Sequence, residues 1–255
     1  MSITITGGFT ASGGGWTLEA PPAGVKAIFG YGSGYSITNL VSNTGVVGTD
    51  VTGVGTAREQ LAAAGYGTDK AIFGYGYAGG AVSMTNLVSN TGVVGNNVTG
   101  VGTARYGVAA AGYGSDKAIF GYGGSASRLA ITNLVSNTGV VATDTAGVGT
   151  ARFNPAAAGY GTDKAIFGYG DGGGQQSMTN LVSNTGVVAT DTTGVGTARS
   201  YLAAAGYGTD KAIFGYGGGA LTYSLTNLVS NTGVVATDTT GVGTARTDLA
   251  AASYG

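Results

Sequence analysis

The chain has 255 residues, of which 52 are Gly, 43 % are apolar and 9 % are charged, with a net charge of −1; this is the composition neither of a helical protein nor of a charged disordered one. The absence of Cys and His excludes disulfides and thiolate metal ligands and removes the usual general base and zinc ligand. Balanced charge leaves no basic stripe for nucleic acid and no polybasic membrane patch, and no stretch is long and apolar enough to cross a bilayer.

Residues 1–25 read as a Gly-rich leader and a candidate anchoring segment. Their start, Met1-Ser2-Ile3-Thr4-Ile5-Thr6, lacks a basic run followed by an apolar one, so synthesis in the cytoplasm without a secretory signal is expected. From residue 26 to residue 255 the chain is an array. Lys recurs at Lys70, Lys117, Lys164 and Lys211, and Arg at Arg58, Arg105, Arg152, Arg199 and Arg246, each 47 residues after the last. Lys26 precedes Lys70 by only 44 residues because the stretch after Gly32 is three residues shorter than its counterparts. A fixed period of this length announces a repeat architecture.

Within the repeat 58–104, Gly and Asn divide the sequence into four short apolar runs. Leu61 to Tyr66 is the first predicted strand, a; the turn Gly67-Thr68-Asp69 leads to strand b, Lys70 to Tyr75, rich in residues that suit a pleated surface. After a Gly-rich loop, Ser83 to Ser89 forms strand c, and Asn90-Thr91-Gly92 turns the chain into strand d at Val93-Val94. The Ala runs are too short and too closely bounded by Gly for helices. Strand b is apolar on both faces, with Ala71, Phe73 and Tyr75 on one and Ile72 on the other, so each sheet requires cover on both sides.

A four-stranded antiparallel unit that packs on both faces and repeats five times describes a β-propeller. The expected fold is therefore all-β: a five-bladed β-propeller of four-stranded blades, with the small strand a innermost. The array begins at strand b with Lys26 and ends with an extra strand a, Leu249 to Tyr254. Closure by pairing of this C-terminal strand with the first blade is expected, since it would remove an exposed edge.

The order Arg, small apolar strand, Lys-Ala-Ile-Phe-Gly-Tyr-Gly, then Asn-Leu-Val-Ser-Asn-Thr-Gly-Val-Val resembles a divergent kelch repeat, with the Gly pair split by Tyr at Gly74-Tyr75-Gly76 and Val94 where kelch repeats usually carry Trp. Over residues 26–255 it is closer still to kelch-like repeat proteins of bacteriophages, whose phrases are echoed by Thr185-Gly186, Ala189-Thr190-Asp191 and Thr197-Ala198-Arg199. The leader, with Gly13-Gly14-Gly15-Trp16 and Pro21-Pro22, resembles Gly-rich openings of phage structural proteins. The resemblance implies a virion-associated, non-enzymatic protein exposed on the virion or extracellular surface.

The five copies differ in two windows: the loop between strands b and c, and the residues after each Arg, between d and a. In a four-stranded meander both connections emerge at the same end of the blade, so the variable windows share one face of the disc. The candidate ligand-binding residues are those that enrich this face in aromatic and polar groups: Tyr35, Glu59, Tyr77, Tyr106, Arg128, Phe153, Asn154, Asp171, Gln175, Gln176, Tyr201 and Tyr223. Neutral drift of exposed loops is the competing account, but drift favours small polar residues over six aromatics. Arg128, the one basic residue outside the repeat pattern, reads as a solvated loop residue ahead of an anion contact.

The repeated Arg residues, with Asp50, Asp144, Asp191 and Asp238, either form one ligand site per blade or bridge neighbouring blades; bridging is the reading preferred. Asn97 stands in the Asp position of the second repeat. No repeat gathers a calcium-ligand spacing, and no cofactor or metal is implied. A reaction centre would break the five-fold equivalence with an unusual polar constellation, and only Asp171 with Gln175 and Gln176 offers one, so no enzymatic activity is expected. Two functions follow: recognition of a cell-surface glycan or protein through the variable face, or a structural virion component that packs against another virion protein.

Overall fold

The computed structural model describes residues 27–253 and the backbone of a hairpin before them, β1 (Phe9–Ser12) with β2 (Gly15–Leu18), paired antiparallel. The rest of the leader, Lys26 and Tyr254 lie outside the described residues, and the leader's anchoring role with them. From residue 27 the chain forms five small antiparallel sheets and, among the described residues, no helix. The first sheet holds β3 (Ala27–Gly32) and β4 (Tyr35–Val41). The others are three-stranded: β5 (Ala62–Tyr66), β6 (Lys70–Gly74) and β7 (Thr85–Val88); β8 (Ala109–Tyr113), β9 (Lys117–Gly121) and β10 (Thr132–Val135); β11 (Ala156–Tyr160), β12 (Lys164–Asp171) and β13 (Gln175–Val182); β14 (Ala203–Tyr207), β15 (Lys211–Gly215) and β16 (Thr226–Val229).

Strands a, b and c thus appear where alternation and turn residues place them. Tyr66 pairs with Lys70 across a three-residue loop, Gly67-Thr68-Asp69, whose first two residues sit at positive φ, Gly67 at 59° and Thr68 at 69°, as a tight hairpin connection requires. The inner strands β5, β8, β11 and β14 lie side by side from sheet to sheet, and their Ala-Ala-Ala-Gly sequence leaves room for that approach.

The fourth strand is not continuous. In the second blade it touches β7 at two bridges, Val88↔Val94 and Thr85↔Val98. Four residues on one side span three on the other, so the segment bulges between its two anchor points and cannot carry a ladder. The blades are therefore three regular strands plus a pinned outer segment. The expected closure is also absent: residues 249–253 form no strand, and β3 has only β4 as a partner among the described residues. A strand needs a ladder on which to form, and the edge of β3 is not brought to this segment.

Blades pack through strand b. Ile72, Phe73 and Tyr75 are buried, as are Ile119, Phe120 and Tyr122 in the next blade. The close approach depends on glycine: a Cβ on Gly74 would lie 2.6 Å from Phe120 Cζ, and one on Gly121 would lie 2.7 Å from Phe167 Cζ. The tyrosine after each such glycine sits at positive φ (Tyr75 62°, Tyr122 63°, Tyr169 62°), a strained conformation for a bulky residue. At Tyr75 and Tyr122 the freed carbonyl receives an arginine from the junction: Arg58 Nε donates to Tyr75 O at 2.8 Å and Arg105 Nε to Tyr122 O at 2.9 Å.

Arg58, Arg105, Arg152 and Arg199 are all fully buried. Each sits at a blade junction. Arg105 Nη1 donates to Thr103 O (3.1 Å) and Nη2 to Asn133 Oδ1 (2.6 Å), and the guanidinium lies 4.1 Å from the ring centroid of Tyr75 in the preceding blade. Arg152 keeps the Nη1 and Nη2 bonds at 3.1 and 2.6 Å. The Asp partners are the more distant ones, at 3.9, 3.8 and 3.7 Å from Arg105, Arg152 and Arg199. Arg therefore bridges blades, as preferred from the sequence, chiefly through Asn and carbonyl oxygens. Asn97 replaces Asp without loss of the contact, because its Nδ2 donates to Thr56 Oγ1 at 2.8 Å where Asp144 accepts from Thr103 Oγ1 at 2.6 Å.

Candidate functional site

In the second to fifth blades both variable windows come to one end of the blade and pair with each other. Glu59 bridges Tyr77, Tyr106 bridges Gly124, Phe153 bridges Asp171 and Ser200 bridges Gly218. These contacts use backbone groups, as in Glu59 N–H to Tyr77 O (3.1 Å) and Tyr77 N–H to Glu59 O (2.8 Å), so they impose little on the side chains. Neighbouring windows are also joined, with Gly107 N–H donating to Gln60 O and Asn154 N–H to Gly107 O. The result is a rim whose backbone is fixed and whose side chains vary.

On the second, third and fourth blades the rim side chains form a ladder. Tyr77 meets Tyr106 edge-on at 5.5 Å between ring centroids, and Tyr106 stacks on Phe153 at 5.3 Å and 19°. Tyr77 is 40 % exposed, and the Tyr106 hydroxyl donates to Ser125 O at 3.3 Å. At the far end the Arg128 guanidinium lies 5.8 Å from the Phe153 centroid, donates through Nε to Asp171 O (3.0 Å) and pairs through Nη2 with the Asp171 carboxylate (3.1 Å). Partial burial pushes the Asp171 carboxyl up, but the Gly173 N–H and Arg128 together hold it below the usual carboxylate range. Arg128 is an exposed loop residue, as its place outside the repeat pattern suggests, and it has a carboxylate partner. It ties the third blade to the fourth with its charge already matched.

The other candidates stand apart from the ladder. Tyr35 and Tyr201 are exposed and make no ring contact with it, and Tyr223 is likewise separate. Glu59 and Asn154 contribute backbone bonds. Gln175 lies over Gly219 of the fifth blade with its Oε1 buried and unpaired, and Gln176 Nε2 donates to Gly174 O at 3.0 Å. Gln175 is the cross-strand partner of Asp171 and Gln176 that of Gly170, but no side-chain hydrogen bond joins either glutamine to the Asp171 carboxylate. The Arg128–Asp171 pair, 43 residues apart, could not be read from the sequence because neither residue has an equivalent in the other repeats.

The opposite end of the inner strands surrounds a cavity of about 1050 Å³. Lys70, Lys117, Lys164 and Lys211 line it, each paired with the Asp before it at 2.7 to 3.0 Å. The hydrogen bond from the neighbouring lysine holds each of these carboxyls below its ordinary range. Among the described residues no three His, Cys, Asp or Glu side chains gather into a possible metal site.

No family model matches the chain, and no curated protein matches it. Among solved structures, one titled "Structure of YjhT" superposes with a TM-score of 0.67 over 89 % of this chain and 84 % of that one, at 11 % identity. YjhT has a kelch- and propeller-like fold. The present fold is propeller-like. At that identity the likeness extends to architecture alone.

Proposed function

We propose that the protein is a non-enzymatic recognition propeller that binds a cell-surface glycan or protein through its variable rim. The observation that carries this reading is the ladder Tyr77–Tyr106–Phe153, which spans three blades at the positions where the repeats diverge. Aromatic rings supply contact area at small entropic cost, and a fixed backbone rim presents them without rearrangement. Support for a non-catalytic role comes from charge: the one polar pair that breaks the repeat symmetry, Arg128 with Asp171, neutralises itself. A virion or extracellular setting rests on the likeness of the repeat phrases to phage kelch-like proteins.

An array of glycans and bacterial surface polysaccharides, probed with the parent and with a Tyr106→Ala, Phe153→Ala variant, tests the proposal. Binding by the parent that falls at least about tenfold in the variant is expected, as for loss of two central aromatics. Retained binding would move the site off the rim. If a parallel screen of cell-surface proteins also gives no binding, the reading fails and a structural virion component is left.

A further inference from the structure

The end of the blades opposite the rim repeats one tetrapeptide, Gly-Thr-Asp-Lys at 67–70, 161–164 and 208–211 and Gly-Ser-Asp-Lys at 114–117. These turns are bonded into one arc, since Gly67 N–H donates to Asp116 O, Gly114 N–H to Asp163 O and Gly161 N–H to Asp210 O, each at 2.7 Å. Side chains tie the arc to the turns outside it: Asn137 Nδ2 donates to Asp116 Oδ2 (3.0 Å) and Asn184 Nδ2 to Asp163 Oδ2 (2.9 Å). The arc lines the cavity of about 1050 Å³, so the wall of that cavity is fixed before any ligand arrives.

Charge on this wall is sorted. Lys70, Lys117, Lys164 and Lys211 all line the cavity, whereas of their four Asp partners only Asp116 does. The Lys side chains stay 40 to 43 % exposed. At Asp116 and Asp163 one carboxylate oxygen accepts from Lys and the other from Asn, so these acceptors are occupied. An ammonium has three protons to donate, and each Lys gives one to its Asp, which leaves two for a ligand. Four ammoniums around one space repel each other, and an anion among them relieves that repulsion.

The hydroxyls follow the same plan. Thr68, Ser115, Thr162 and Thr209 line the cavity from the left-handed region, at φ of 69°, 63°, 69° and 73°, where Gly is unstrained and a β-branched residue is costly. Ser115 Oγ donates to Gly114 O at 2.6 Å, while the three Thr hydroxyls donate to nothing among the described residues. Residues held at such a cost cluster at ligand clamps.

We propose that this cavity is a second binding site, independent of the rim, for a compact ligand carrying several tetrahedral oxyanion groups, phosphate or sulfate. Donors outnumber open acceptors on the wall, which selects an acceptor-rich ligand. Lys is a rotatable point charge that suits a tetrahedral oxyanion, whereas the planar fork that pairs with a carboxylate belongs to Arg. The volume lies at the upper limit of the about 300–1,000 Å³ usual for small-molecule sites. The four ammoniums come from four blades, so a ligand with several charged groups engages them together.

The test is calorimetric titration of the whole chain with sodium tripolyphosphate, sucrose octasulfate and inorganic phosphate, repeated on the pair Lys117→Gln, Lys164→Gln and on the pair Lys117→Arg, Lys164→Arg. One of the two polyanions should bind the parent at least about tenfold more tightly than inorganic phosphate, and the Gln pair should lose at least about tenfold of that affinity while the Arg pair keeps most of it. Which polyanion binds distinguishes phosphate from sulfate. A parent that binds neither, or neither more tightly than inorganic phosphate (an adventitious ion only), overturns the proposal, and so does a Gln pair that binds like the parent. Both variants change half-exposed ion pairs, which contribute little to folding. A measurement on the parent alone stands beside them: the polyanion that binds, at saturation, should suppress acetylation of Lys117 and Lys164, and undiminished acetylation would place it elsewhere and overturn the proposal.

Discussion

The blade junction and the variable rim lie at most a few residues apart in sequence, yet they obey opposite rules. Arg105 is buried and held by Tyr122 O, Thr103 O and Asn133, and every repeat carries an Arg there. The next residue, Tyr106, is Glu, Phe, Ser or Thr in the other copies. The difference lies in which atoms do the holding. At the junction the Arg side chain holds backbone carbonyls and an Asn amide, so the Arg cannot change. At the rim backbones hold backbones, so the side chains are free to differ, and this is the usual ground on which recognition surfaces are built.

The sharpest way to break this contrast is to remove one arginine from each region. Arg152→Ala leaves Asn180 Oδ1 and Thr150 O without their donor inside a closed junction, and it also empties a large volume against Tyr122; a loss of about 3 kcal/mol or more is expected. Arg128→Ala gives up a half-exposed ion pair at the rim, worth at most about 1 kcal/mol. Urea unfolding of the two variants checks the ordering. Equal losses would mean that the rim is as much a part of the scaffold as the junction.

A smaller effect separates the glycines. Gly121→Ala would drive a methyl to 2.7 Å from Phe167 Cζ, so the ring must move and the melting temperature should fall by the equivalent of about 1–3 kcal/mol. Gly80→Ala, in a rim loop with nothing within 4 Å of the new methyl, should change it by no more than about 0.5 kcal/mol. A tolerated Gly121→Ala would show that Phe167 is not locked in its cup.

The strands were legible because their cues are local: the Gly-Thr turn before Lys70, the alternation through Ile72 and Phe73, and the Asn-Thr-Gly turn before Val93. The sharing of one face by the two windows followed from strand parity alone. What escaped the sequence depends on summed or non-equivalent geometry. Closure is set by the turn at four successive junctions, a quantity no single repeat encodes. The outer strand looked continuous because its residues favour strands, but one extra residue between Val94 and Val98 breaks the ladder. Arg58 is legible in the sequence as a bridge between blades, and its bond to the strand-end carbonyl of Tyr75 agrees with that, but its Asn86 partner is not, because nothing local sets two residues 28 apart against each other. The rim ladder needed the neighbours of Tyr106 on both sides, Tyr77 and Phe153, which belong to different windows.

The smallest effect at neutral pH concerns the Asp residues that Asn97 shows to be replaceable. Partial burial pushes the Asp144, Asp191 and Asp238 carboxyls up, but hydrogen bonds from Thr103, Thr150 and Thr197 and from Asn133, Asn180 and Asn227 outweigh it, and each ends below its ordinary value. A carboxyl depressed in the folded state binds fewer protons there than in the unfolded chain. Its contribution to stability is therefore complete above the ordinary Asp range, about 3.9, and is lost as pH falls through the lower folded value. Asn at all three positions donates to the Thr hydroxyl, as Asn97 does to Thr56, and has no proton to gain. The triple Asp→Asn variant should match the parent at neutral pH and lose less stability between neutral pH and the acid range. The remaining acid sensitivity comes from Asp69, Asp116, Asp163 and Asp210, whose lysine hydrogen bonds stay in place, and from Asp171 at the rim. Thermal melts across that pH range decide it: an acid loss as large as the parent's would mean that the junctions do not draw on ionised Asp, and that Thr and Asn hold the blades together whatever the charge of their partner.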